Sequence, residues 1–313
     1  MKKQKMLTGI LSVILFGNYV ISSSYVAFAT EGDSEVVENT VELEHEHSAT
    51  EETKDIAEDV TTESERTTEQ NDVKKVTTYQ EQANIPVDAK ISEIFPDPNM
   101  AQAVAELFGK TVADSLTETE RNRTVISLLS KNITSIEGIS VFSKLVNLKL
   151  SGNKIKSYPQ ELNQLPNLNV LWLNDNEITS MEGFGEVAFP ALTQLYLADN
   201  QIIELPQTFV NYSIGKGTGS EVYLDNNQLT QLPENIGTIE KMRTFTVSGN
   251  FLSEVPGSLL ENNTVSAMDL SNNQLVELPD TIASGSNLAT LYLADNQLTS
   301  LPTSFGNLTK VRD

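Results

Sequence analysis

Cysteine is missing from all 313 residues, so the chain has no disulfide framework and no thiolate nucleophile or metal ligand. Histidine is nearly missing: only His45 and His47 occur, in the run Glu44-His45-Glu46-His47. That run offers metal donors, but nothing there fixes their geometry, and no metal site is assigned. Positive charge is scarce, with 21 Lys and Arg against 43 Asp and Glu, a formal net of −22. Such a chain is a poor partner for nucleic acid or anionic lipid. Long apolar runs are lacking apart from Met6 to Phe16, and Gly17, Asn18 and Ser22 interrupt that one short of a membrane span. With Lys2, Lys3 and Lys5 ahead of it and Ala27-Phe28-Ala29 behind, residues 1–29 read as a secretory signal peptide cut after Ala29. Nothing else in the chain would insert in a membrane once it is removed.

Residues 30–84 carry 17 acidic and 4 basic side chains, net −13, with ten threonines and few large apolar groups. A segment of this composition cannot bury enough surface to offset its ordering entropy, so disorder is expected. The rest, 85–313, holds 26 acidic and 14 basic residues, net −12.

What fills that remainder is repetition. Asparagine returns at Asn153, Asn176, Asn200, Asn227, Asn250, Asn273 and Asn296, at intervals of 23, 24, 27, 23, 23 and 23 residues. Around each stands the same frame, as in Leu145-x-x-Leu148-x-Leu150-x-x-Asn153-x-Ile155 and again in Leu288, Leu291, Leu293, Asn296, Leu298. Self-similarity at this period marks an α/β leucine-rich-repeat solenoid over 124–313, about eight coils with the last incomplete. Each coil is too small to close its own core, so neighbours must stack. The leucines alternate as a short strand requires, and stacking them at about 4.8 Å gives a curved, parallel concave sheet roughly 30 Å long. A carboxamide both donates and accepts, so an asparagine column can satisfy buried backbone groups from coil to coil.

On the far side, Leu162, Phe209, Ile236, Leu259, Ile282 and Phe305 recur three residues after Pro159, Pro206, Pro233, Pro256, Pro279 and Pro302. Proline cannot extend the ladder and marks where each coil leaves the strand for its convex return. The run Gly215-Lys-Gly-Thr-Gly219 lengthens one return; it lacks the strand and helix that a phosphate cradle needs.

An apolar solenoid needs a lid. Residues 85–123 supply a helical one: Asp97 suits an N-cap, Pro98 a first helical position and Gly109 a stop, with Met100, Val104, Leu107 and Phe108 on one face. Thr117-x-x-Glu120 reads as the capping box of a second short helix, the pair covering a first strand near Ile126 and Leu128. Ile94-Phe95-Pro96-Asp97, Ala101, Val104-Ala105, Leu107, Gly109-Lys110 and Ile133-Thr-Ser-Ile136-Glu-Gly138 together resemble the N-terminal cap and first repeat of internalins, secreted leucine-rich-repeat surface proteins of Gram-positive bacteria. The resemblance implies an exported protein whose concave face engages a host or surface ligand, anchored to the wall through a C-terminal sorting signal. Two features depart from the family: repeats of mostly 23 residues with Leu-Pro, where 22 is the norm, and the absence of a sorting motif or C-terminal lid. The chain therefore reads as the front part of something longer, or as a truncated product.

The ligand face expected from the frame is the fifth-position column Lys149, Trp172, Tyr196, Tyr223, Thr246, Asp269, Tyr292, containing the chain's single tryptophan. Beside it the seventh and eighth positions give an acidic flank, with Asp175, Asp199 and Asp225. Exposed Trp172, Tyr196, Tyr223 and Tyr292 are the material of interface hot spots, and the acids favour a basic rim on the partner. Aromatics across neighbouring strands also simply stack, and the two roles are compatible. Three classes follow: a non-enzymatic adhesion or host-interaction module, on the bacterial surface or secreted, binding a protein or glycan; a wall-associated spacer; and an enzyme. The last must work without cysteine or folded histidine on an open, solvated sheet, and no cofactor or catalytic residue is assigned. A spacer has no need to expose Trp172 beside Tyr196 and Tyr223.

Overall fold

The structure, a computed structural model, describes residues 85–212, 219–282 and 286–311, together with the backbone of three N-terminal strands. Those strands, Met6–Phe16 (β1), Tyr19–Phe28 (β2) and Glu38–Thr40 (β3), form an antiparallel sheet in the order β1-β2-β3. The rest of the acidic segment, with His45 and His47, lies outside the described residues, as does most of the Gly215–Gly219 run. Among the described residues no helix is long and apolar enough to cross a membrane.

The second unit is the leucine-rich-repeat solenoid. Eight parallel strands lie in strict sequence order: Val125–Ser127 (β4), Asn147–Lys149 (β5), Val170–Trp172 (β6), Gln194–Tyr196 (β7), Ser220–Tyr223 (β8), Met242–Thr246 (β9), Ala267–Asp269 (β10) and Thr290–Tyr292 (β11). Register follows the repeat, with Leu148 opposite Leu171 and Leu171 opposite Leu195. Each strand is short because one inward side chain flanked by two outward ones is all that the frame supplies. The leucines at the first, fourth and sixth positions, Leu145, Leu148 and Leu150 in β5's coil, are fully buried. The convex column expected from the prolines closes the other side: Leu162, Phe209, Ile236 and Leu259 are fully buried and Ile282 nearly so. Most returns are single 3-10 turns, such as Gln160–Gln164 and Ile236–Thr238. The return after Met181 lacks Leu-Pro and is filled instead by Phe184 and Phe189, whose rings stack 5.8 Å apart with Phe209 5.0 Å from Phe184. The leucine frame gave no sign of that cluster.

The asparagine column does what the carboxamide chemistry demands. Asn227 accepts from the Ile202 N–H at 3.0 Å and donates to the carbonyls of Leu197 and Leu224, both at 3.0 Å, tying its own coil to the one before. Asn153, Asn176, Asn200, Asn250, Asn273 and Asn296 repeat the pattern. The first coil has Lys131 where the ladder residue would stand, and its side chain turns outward to Glu106 at 2.9 Å.

There the cap takes over. It consists of Ile91–Ile94 (α1), Pro98–Leu107 (α2) and Glu118–Arg121 (α3). Asp97 caps α2 through Oδ1, accepting from the N–H groups of Asn99 and Met100 at 2.8 and 3.2 Å. Its Oδ2 reaches into the first coil, accepting from the Thr134 N–H and hydroxyl, both at 2.7 Å, and the Ser135 N–H at 3.0 Å. Burial raises the Asp97 pKa, but these donors outweigh it and hold the carboxyl below its ordinary value. The joint is tight: at Gly138, with φ of 90°, a Cβ would stand 2.1 Å from the Ile94 carbonyl oxygen. Thr117 and Glu120 form the expected capping box on α3. One expectation fails. The buried face of α2 is Met100, Ala101, Ala103, Val104 and Ala105, whereas Leu107 is exposed. Alanines let α2 approach closely, and that rotates Leu107 away from the core.

Candidate concave ligand site

Parallel pairing in register places the fifth-position side chains in one line, with Lys149 opposite Trp172, Trp172 opposite Tyr196, and Tyr196 opposite Tyr223. They form a stack. The Lys149 ammonium sits 3.9 Å from the Trp172 ring centroid, Trp172 meets Tyr196 edge-on at 5.3 Å, and Tyr196 lies parallel to Tyr223 at 4.6 Å. Lys149 is therefore a member of the stack. Ring faces are covered by neighbours, and ring edges and hydroxyls are what the three half-buried aromatics present. Tyr292 stands apart, beyond Thr246 and Asp269, and is 52% exposed.

Polar anchors hold the stack in place. Glu221 accepts from the Gln194 amide at 3.0 Å and from the Tyr223 hydroxyl at 3.4 Å. Burial first, then the charge of Glu221 and the neighbouring Tyr196, pushes the Tyr223 phenol up to about 12. Tyr196 is raised for the same leading reasons. The Trp172 indole N–H is buried with no hydrogen-bond partner.

Beside the rings lies a hollow of about 500 Å³, whose walls include Trp172, Tyr196, Tyr223, Asn174, Asp175 and Asp225. It exists because the first coils carry small residues there: Ser130, Ser151 and Gly152 line its other side. Of the residues expected to form the ligand face, the hollow brings together Trp172, Tyr196, Tyr223, Asp175 and Asp225; Asp199 and Tyr292 lie outside it.

The acidic flank has a conformational origin that residue spacing did not disclose. Ser130, Gly152, Asp175, Asp199, Asn226, Gly249, Asn272 and Asp295 all take left-handed backbone conformations, with φ between 53° and 73°. Most are Asp, Asn and Gly, the types that tolerate this region. The carboxylates are not equivalent. Asp225 accepts from the Ser248 N–H and hydroxyl at 2.9 and 2.8 Å and from the Thr246 hydroxyl, so both oxygens are occupied by the next coil. Among the described residues Asp199 accepts only from the Asn226 amide at 2.9 Å, and Asp175 only from the adjacent Asn174 amide at 2.8 Å. Ser271, at the seventh position of its own coil, is buried and donates to Asp269 at 2.6 Å. Among the described residues no group of three or more His, Cys, Asp or Glu is placed to hold a metal ion.

Strand order, coil length and the asparagine column define the class: a leucine-rich-repeat protein with a helical N-terminal cap. Models of leucine-rich repeats match residues 143–202 and 287–308. The cap carries the further step. The model of the bacterial adhesion/invasion protein N terminus, the internalin N-terminal domain, matches residues 78–122, so the chain joins that domain to leucine-rich repeats. Over 138 residues the chain is 34% identical to podocan of Mus musculus, covering 36% of this chain and 22% of podocan. A leucine-rich-repeat protein of Leptospira interrogans superposes with a TM-score of 0.53 at 26% identity, over 62% of this chain and 48% of that one. Internalin C2 of Listeria monocytogenes superposes with a TM-score of 0.55 at 24% identity, over 72% of this chain and 96% of that one, a likeness of fold. The chain thus spans about a fifth of podocan and about half of the Leptospira protein. Proteins of internalin type are typically non-enzymatic protein-binding modules found secreted or at the cell surface.

Proposed function

We propose that the chain is an exported adhesion module that binds a host or surface protein through its concave face, without catalysis. The observation that carries this reading is the hollow beside Trp172, Tyr196 and Tyr223, a rigid aromatic wall with polar groups beside it. Pre-stacked rings lose little freedom when a partner covers their edges, and that raises affinity for a given area. The tryptophan argues for binding over mere stacking. A buried indole N–H with no acceptor costs about 1–3 kcal/mol that phenylalanine at the same position would avoid. In this reading Trp172, Tyr196 and Tyr223 are the anchors, Asp175 faces a basic group of the partner, and Asp199 and Tyr292 lie at the rim. Asp225 contributes mainly by holding the coils beneath.

Export is proposed on the n-region lysines, the Met6–Phe16 run and Ala27-Phe28-Ala29. The mature protein should begin at Thr30, which mass spectrometry of the exported chain would show. For binding, host-cell surface proteins are passed over the immobilised chain beside its Trp172→Ala/Tyr196→Ala variant. Proteins retained by the natural chain and lost from the variant support the reading; equal retention by both contradicts it.

A further inference from the structure

A second cleft, of about 530 Å³, opens on the other side of the molecule where the cap meets the first coils. Its floor is apolar, from Ile85, Pro86, Ala89, Ile94 and Pro96. Its rim carries carboxylates from three different elements: Asp88 and Glu93 from the cap, Glu137 from the first coil and Glu161 from the next. No lysine or arginine lines it; Glu93 is already taken up by Lys90 at 3.6 Å, whereas among the described residues Glu137 and Glu161 form no ion pair. The walls are fixed. Gly138 lies against the Ile94 backbone so closely that a methyl group would not fit, and Phe95 stacks on Phe142 at 6.1 Å.

We propose that this cleft docks a protein segment presenting a lysine or arginine next to an apolar side chain, independently of the concave face. The volume falls in the range of sites that enclose small ligands or a few side chains. An arginine can lay its aliphatic stem along proline and isoleucine while its head meets carboxylates at the rim. Charge selects this occupant over two others. The acidic 30–84 segment, net −13, and a second copy of a chain of net −22 would both be repelled.

The test uses the full chain and a fluorescein-labelled acetyl-Leu-Arg-Leu-Arg amide peptide, followed by anisotropy at about 0.05 and 0.15 M salt. Saturable binding is expected, weakened about tenfold or more by Glu137→Lys with Glu161→Lys. Both are surface carboxylates, and an unchanged urea midpoint would show that the variant folds. The convex control Glu234→Lys should bind as the natural chain does, and fluorescence of Trp172, the chain's only tryptophan, should stay constant, separating this site from the concave one. Four results would overturn the proposal: no saturable binding, equal binding by the double variant, a Trp172 response that tracks the titration, or competition by free spermine at the peptide's own affinity. Tighter peptide binding after Lys74→Glu with Lys75→Glu would also overturn it, by showing that the chain's own lysines hold the cleft.

Discussion

Two columns run side by side along the same sheet and obey different rules. The asparagine column repeats one residue seven times, each copy buried or nearly so and making the same bonds to its own coil and the one before. The fifth-position column changes at almost every coil, from Lys149 through three aromatics to Thr246, Asp269 and Tyr292. Both are in register and both link neighbouring coils. The difference is what each position must satisfy. Buried backbone donors and acceptors admit one side chain, and a half-exposed site admits many. Stability is therefore written in the column that repeats, and specificity has room in the column that does not.

The sharpest way to break the solenoid is at the start of the first column, where Asp97 ties the cap to the first coil. Asp97→Ala removes an acceptor of five hydrogen bonds and should cost about 3 kcal/mol or more in urea unfolding. Acid should do the same by degrees. Because the folded pKa lies below the ordinary 3.8, the stabilisation is whole above that value and is lost as pH falls through the lower folded one. Unfolding of Asp97→Asn should lack that component of the pH dependence. Next in size, Asn227→Ala leaves the buried Ile202 N–H unpaired and takes one of two donors from the Leu197 and Leu224 carbonyls, which Asn200 and Asn250 still reach, and should cost about 2 kcal/mol. The exposed neighbour change Gln228→Ala should stay within about 0.5 kcal/mol. Equal effects would mean that the ladder carries no special weight.

The second column should respond to alkali and hardly at all to conservative change. Tyr223 is raised to about 12, so its contribution is complete below the ordinary phenol value of 10.0 and is lost as pH rises from there to about 12. Ultraviolet titration should find Tyr196 and Tyr223 both ionising late, with Tyr223 at about 12, and Tyr223→Phe should remove that last component. Smallest of all, Trp172→Phe should leave stability unchanged to within about 1 kcal/mol, since the relief of deleting a donor that has no acceptor is offset by the packing lost with the larger ring.

The repeating column was legible from residues alone because leucine and asparagine return at a fixed interval and a single fold meets that demand. The cap was legible for the same reason: Asp97-Pro98 and Thr117-x-x-Glu120 satisfy local backbone groups within a few residues. What stayed hidden depends on distance. Nothing in the sequence joins Asp97 to Thr134, 37 residues on, or shows that α2 buries alanines and turns Leu107 outward. The candidate site was half legible. Spacing placed Trp172, Tyr196 and Tyr223 in one line, but it could not show that Lys149 covers the indole or that Asp225 is engaged by Ser248. The acidic flank was read as a surface for a partner, yet its recurring left-handed backbone already favours Asp, Asn and Gly.

The most direct test of the concave reading is the dissociation constant of a surface protein retained by the natural chain, measured for Trp172→Ala and Tyr196→Ala. Central aromatic anchors predict that each weakens binding by about thirtyfold or more, near 2 kcal/mol, while the urea midpoint shows the solenoid still folded. If both variants bind as tightly as the natural chain, the stack is architecture and the ligand is held elsewhere.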